Sequence, residues 1–159
     1  EKGDLANSRN EFEHAIRIIE AKVGPDHPDL ALWRAAYSDT LLDLGEFALA
    51  TENAELALRL GRAKMNAADP RLGRIGLSLF RIRFLQGDCS DPDQIAGDIA
   101  DQLARGGGGM RADRAALALM RAECARQSHT DATELQQTAN NEVAALDYKP
   151  RRLRLLLAR

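Results

Sequence analysis

Apolar residues recur in steps of three and four along most of the chain. From Pro28 the run is Leu30, Trp33, Tyr37, Leu41 and Leu44, a spacing that lays one stripe along a helix. Pro28 stands at the first helical position, where its missing N–H has no intrahelical partner to lose, with Asp26 or His27 before it as the cap. Gly45 closes the run and a second stripe opens at once, through Phe47, Ala50, Ala54, Ala57 and Leu60. Helices joined by so short a turn must pack antiparallel, and the alanines let the two backbones approach closely. The same periodicity predicts helices over 4–22 (Leu5, Phe12, Ala15, Ile16 and Ile19 inward), 28–44, 46–65, 70–86 (Leu72, Ile75, Leu79 and Ile82 in line), from Pro92 to about Arg105, and over 111–127 and 131–146. Thr130 or Asp131 caps the last of these. Residues 88–91 read as a longer turn before a proline start at Asp91-Pro92. Gly106 to Gly109 read as a flexible connector, since a phosphate-binding loop would carry a lysine followed by Ser or Thr and would follow a strand. Lys149-Pro150 breaks the chain before a short tail, RRLRLLLAR. Aromatic residues make up only 4% and strand patterns are scarce, so the fold class is all-α.

Sliding the sequence along itself by 42 positions brings Gly3 onto Gly45 and Gly45 onto Gly87, each followed by an acid (Asp4, Glu46, Asp88). Pro28 and Leu30 fall on Pro70 and Leu72, Ala15 on Ala57 and Ala54 on Ala96. A fixed period built from helix pairs marks a stacked array in which each unit covers its neighbour's apolar face. The expected organisation is a single domain over 1–159. It comprises an orphan second helix at 4–22, helix pairs at 28–65, 70–105 and 111–146, and a capping tail at 149–159. Because the chain opens in the middle of a unit, it reads as part of a longer protein with at least one more helix upstream.

These residues carry a resemblance. The segment GPDHPDLA at 24–31, the turn glycine Gly45 and the small positions Ala50, Ala54 and Ala57 resemble the kinesin-light-chain type of tetratricopeptide repeat, over residues 3–87. Arg34, Gly76 and Arg83 stand where that family packs apolar or aromatic groups. The resemblance implies a right-handed superhelix, an α-solenoid of antiparallel helix pairs. It further implies non-catalytic binding of a protein or peptide in a concave groove, within a larger regulatory protein; in bacteria such repeats often follow kinase or other signalling domains. Composition rich in Ala and Arg is compatible with a GC-rich bacterial source, and the expected compartment is the cytoplasm.

Charge refines this reading. The net charge is −2, but residues 1–55 hold 12 acids against 5 bases and residues 56–86 hold 7 bases against 1 acid. So balanced a total argues against a general polyanion binder. With the family geometry, the groove is lined by Leu32, Ala35, Asp39, Leu42 and Asp43 and, one period later, by Arg74, Leu77, Arg81 and Phe84. That would put carboxylates at one end and guanidiniums at the other, an arrangement able to orient a peptide. Asp39 and Asp43 repel by roughly a few tenths of a kcal/mol at this spacing, which favours a role in binding, although both could simply lie on a solvated helix face. Two other readings are self-association, giving a homo-oligomer, and a nucleic-acid adaptor using Arg59, Arg62, Lys64, Arg71, Arg74, Arg81 and Arg83.

Other candidates for chemistry are weaker. His14, His27 and His129 have no metal-ligand spacing, and His27 in the linker is expected to act locally. Cys89 and Cys124 form no CxxC and are expected as separate thiols in a reducing compartment. No nucleophile is ordered beside a base, so neither an active site nor a cofactor is expected. No apolar run approaches the ~18 residues that a membrane helix needs, and no signal peptide is visible. The tail could touch a membrane surface or nucleic acid through Arg151, Arg152 and Arg154. The preferred reading makes it a closing helix whose leucines cover the end of the last pair.

Overall fold

Local chemistry sets the hairpins. At the linker it is His27, not Asp26, that caps the helix, its Nδ1 accepting from the Asp29 N–H at 3.3 Å. At the turn, Gly45 adopts φ 82°, its N–H donates to the Leu42 carbonyl at 3.0 Å, and the Glu46 N–H donates to the Leu41 carbonyl at 2.9 Å. A side chain in that left-handed conformation would be strained, so glycine is what lets the next helix start two residues later. Asp69 caps the following unit, with its Oδ1 accepting from the Arg71 N–H at 2.9 Å. The Arg71 side chain returns to the same carboxylate and holds it below its ordinary range.

The computed structural model describes residues 2–90 and 94–157. The helices are α1 (Lys2–Val23), α2 (Pro28–Leu44), α3 (Phe47–Lys64), α4 (Pro70–Leu85), α5 (Gln94–Arg105), α6 (Arg111–Gln127), α7 (Thr133–Ala144) and α8 (Arg151–Leu157), and no strand occurs among the described residues. α2 packs on α3, α4 on α5 and α6 on α7. Successive pairs stack through α3 on α4 and α5 on α6, while α2 also touches α4 and α4 touches α6. The chain is therefore an all-α solenoid of helical hairpins, with α2, α4 and α6 side by side. The side chain of Leu5, expected inward, and the turn at Asp91-Pro92 lie outside what is described.

The core is nearly continuous along the stack. Ile16, Leu30, Leu41, Ala54, Ala57, Ile75 and Ile82 join α1 to α4. Leu77, Phe80, Ile99, Leu103 and Met120 join α4 to α6. Gly76 shows how the third unit fits without the apolar group expected there. A Cβ at Gly76 would lie 2.8 Å from Cγ1 of Ile99, so the bulk missing from α4 is supplied by α5. Gly76→Val should overpack this contact and cost about 2 kcal/mol, and Ile99→Ala about 3 kcal/mol through a cavity. Together they should cost less than their sum in urea titrations; strict additivity would mean the two positions are not in contact.

Several expectations change because α2 lies among α1, α3 and α4, which bury more than one stripe. Leu30, Ala35, Ser38 and Leu41 are buried, whereas Trp33 is 41% exposed and Leu44 half-buried. Trp33 meets Phe12 edge-on at 6.1 Å. Phe47, in the first turn of α3 beside the tight turn at Gly45, is exposed rather than inward. Arg34 replaces an apolar group by pairing with Glu20 on α1 and donating to Asn53 Oδ1 on α3 at 3.2 Å. The glycine run does not stay featureless: Gly107–Met110 forms a single 3₁₀ turn, pinned by Arg114 donating to the Gly107 carbonyl at 2.7 Å. At α7, Asp131 Oδ1 accepts from the Thr133 N–H at 2.8 Å, while Thr130 instead donates to the Ala125 carbonyl at the end of α6.

The cysteines require a larger correction. Cys89 and Cys124 are not separate thiols but a disulfide with Cα atoms 5.6 Å apart, joining the turn after α4 to α6. The stacking of α4 and α5 on α6 brings together positions 35 residues apart, with no signature at either end. In the tail, Leu153 and Leu156 pack against α6, but Leu155 and Leu157 face solvent, so only half of the leucines cover the hairpin.

Candidate binding groove

Because α2, α4 and α6 stand side by side, side chains at equivalent turns of each converge. They enclose a groove of about 780 Å3, floored by Leu32, Ala35, Ile75 and Leu77 and closed on one side by Pro150, Arg152 and Leu153 from α8 and the residue before it. Three carboxylates (Asp39, Asp43, Asp113) and three guanidiniums (Arg74, Arg81, Arg152) line it.

These charges are not segregated to opposite ends. Arg81 donates from Nη1 to Asp39 Oδ1 at 2.8 Å. The two residues are 42 apart, one repeat, so stacking places the same helical turn of α2 and α4 in contact. Both side chains are largely buried, at 11% and 15% exposed, and Arg81 Nε has no hydrogen-bond partner. Arg152 takes the other oxygen: its Nη1 donates to Asp39 Oδ2 at 2.8 Å, and its Nη2 donates to Asp43 Oδ2 and to the Asp39 carbonyl, each at 3.0 Å. The like-charged pair on α2 is thus a two-carboxylate seat for one planar guanidinium, whose fork matches several acceptors at once. On the far wall Arg74 reaches Asp113 at 3.4 Å. Burial pushes the Asp113 carboxyl up, against the opposing pull of Arg74 and Arg81, with Asp39 adding to the rise.

Of the residues singled out from sequence, Leu32, Ala35, Asp39, Asp43, Arg74, Leu77 and Arg81 line this groove. Leu42 and Phe84 do not: Leu42 turns into the α1–α4 core and Phe84 into the α4–α6 core, because their helices are covered on more than one side. Asp113 escaped the sequence reading, and Arg152 was read as part of an outward-facing or capping tail rather than of the groove. Asp113 lies beyond the stretch where the 42-residue period is clear, and Arg152 reaches Asp39 across 113 residues. Of the basic residues considered for nucleic acid, Arg62, Arg71, Arg74, Arg81 and Arg83 each lie against an acid (Asp98, Asp69, Asp113, Asp39 and Glu55).

Stacked hairpins with a charged, partly apolar groove define a class of helical-repeat scaffold. Residues 1–63, from α1 into the last turn of α3, match the family model of the tetratricopeptide repeat, and repeats of that family generally mediate protein–protein contacts. No curated protein matches the chain. Among the described residues no helix is long and apolar enough to cross a membrane, and no group of three or more His, Cys, Asp or Glu could hold a metal ion.

Proposed function

We propose that the chain is a non-catalytic scaffold that binds a protein segment or peptide in the groove formed by α2, α4 and α6. The observation that supports this most is the convergence of six charged side chains from four helices on an apolar floor large enough for a peptide. Placement in a larger bacterial regulatory protein of the kinesin-light-chain type rests on the sequence resemblance and composition. The disulfide weighs against the reducing cytoplasm expected from separate thiols.

Peptides selected from a displayed random library on the full chain test the reading. Ala36 lines the groove yet is exposed, so Ala36→Trp should fill the groove without disturbing the core. Binding should fall at least tenfold, whereas Arg59→Glu on α3, outside the groove, should leave it unchanged. The reverse pattern would move the binding surface elsewhere.

A second reading, self-association, is supported by Ile18, Val23, Trp33, Phe47 and Leu49, all large, apolar and exposed on α1 to α3. Light scattering over a concentration series separates the two: a constant monomer mass removes self-association. The nucleic-acid reading is disfavoured by the acids set against five of its seven basic residues.

A further inference from the structure

We propose that Asp39 and Asp43 form a guanidinium receptor which α8 fills with the chain's own Arg152, and that a partner docks by presenting an arginine in its place. The inference rests on the groove being the binding surface, and names the kind of partner it takes and what holds it closed.

Three observations carry it. First, Arg152 is bound as a ligand would be: one guanidinium makes three hydrogen bonds to α2, using both carboxylates and a backbone carbonyl. Second, the contact is local to that side chain. Among the described residues, the hydrogen bonds from α8 to α2 all come from Arg152, while the apolar side of α8 rests on α6 through Leu153 and Leu156. The ionic contact can therefore open without unseating the hairpins beneath. Third, the charge balance demands a cation from outside the three hairpins. With Arg152 the groove lining has three acids and three bases; without it, Asp39, Asp43 and Asp113 face only Arg74 and Arg81. Arg81 is committed to Asp39 Oδ1 and Arg74 to Asp113, so the vacated acceptors are Asp39 Oδ2, Asp43 Oδ2 and the Asp39 carbonyl. Their arrangement suits a planar fork with donors on two nitrogens better than the point charge of a lysine. The occupant to which this geometry points is an arginine-bearing segment of another protein.

The probe is a fluorescently labelled synthetic peptide copying residues 148–155, together with a version in which every arginine is replaced by lysine. Anisotropy titrations use the full chain as wild type, Arg152→Ala, Arg152→Gln and Arg152→Gln/Asp43→Lys, with circular dichroism confirming that each variant is folded. Emptying the seat should raise affinity for the arginine peptide at least tenfold over wild type in both single variants. The lysine peptide should bind those variants several-fold more weakly, and Asp43→Lys should abolish the gain. Equal affinity for wild type and the emptied variants, or for the two peptides, would overturn the proposal. If library-selected peptides still bind in a manner sensitive to Ala36→Trp while the arginine peptide does not, the guanidinium seat fails and the groove reading stands. If neither kind of peptide binds, the groove reading itself fails.

Discussion

Replacing Asp39 with alanine is expected to cost at least about 3 kcal/mol of folding stability, because it strands a buried cation. Arg81 is the one charged residue buried among the described residues, and its guanidinium already carries one nitrogen, Nε, without a hydrogen-bond partner. Asp39 supplies the carboxylate that compensates it, at 2.8 Å. Neighbouring Asp43 provides the control. Its side chain is 33% exposed and its ionic partner, Arg152, is 34% exposed, so Asp43→Ala should cost no more than about 1 kcal/mol. Asp39→Ala combined with Arg81→Met should recover most of the loss, since removing both charges avoids the uncompensated one. Urea titrations of the three variants decide the matter. Equal losses for Asp39→Ala and Asp43→Ala would mean that the pair between α2 and α4 is no more buried than the one to α8. On this account Asp39 has two jobs: one oxygen locks adjacent repeats together and the other faces the groove.

Reduction of the Cys89–Cys124 disulfide should have an effect of similar size. The bridge closes a loop of 35 residues, for which restriction of the unfolded chain gives about 4 kcal/mol. At roughly 2–4 °C per kcal/mol for a chain of this length, Tm should drop by about 10 °C. Calorimetry with and without a phosphine reductant measures the shift, and a thiol titration of the denatured, unreduced protein should find no free thiol. Cys89→Ser should show the lower Tm from the start and no further response to reductant, Cys89 being half-buried and thus the gentler of the two sites to alter. An unchanged Tm on reduction would show that stacking alone holds α6 against the α4–α5 hairpin.

Much of the architecture was legible because its causes are local. Pro28 with its His27 cap, Gly45 at a positive φ, and the alanines of α3 act within a few residues of themselves, so their consequences can be read along one dimension. The 42-residue offset also held the Asp39–Arg81 contact in plain view: equivalent positions one repeat apart are neighbours when repeats stack, and opposite charges at such positions should meet. Reading them as opposite ends of a groove overlooked that consequence. Leu42 and Phe84 were misplaced for a different reason. A single amphipathic stripe describes a helix covered on one side, whereas α2 and α4 touch several neighbours each, and the additional buried arc takes in residues that periodicity assigns to the surface.

The sequence alone therefore determined that this chain forms helical hairpins, that one of them starts at Pro28 and turns at Gly45, and that successive hairpins would shield one another. Those outcomes follow from hydrogen bonds four residues long and from a 3.6-residue period. Only the tertiary structure decided that Cys89 joins Cys124 and that Arg152 sits in the carboxylate seat of α2. Such contacts depend on distances of a few ångströms between helices far apart in the chain, and those distances are set by how rigid hairpins stack, which no local pattern of residues records.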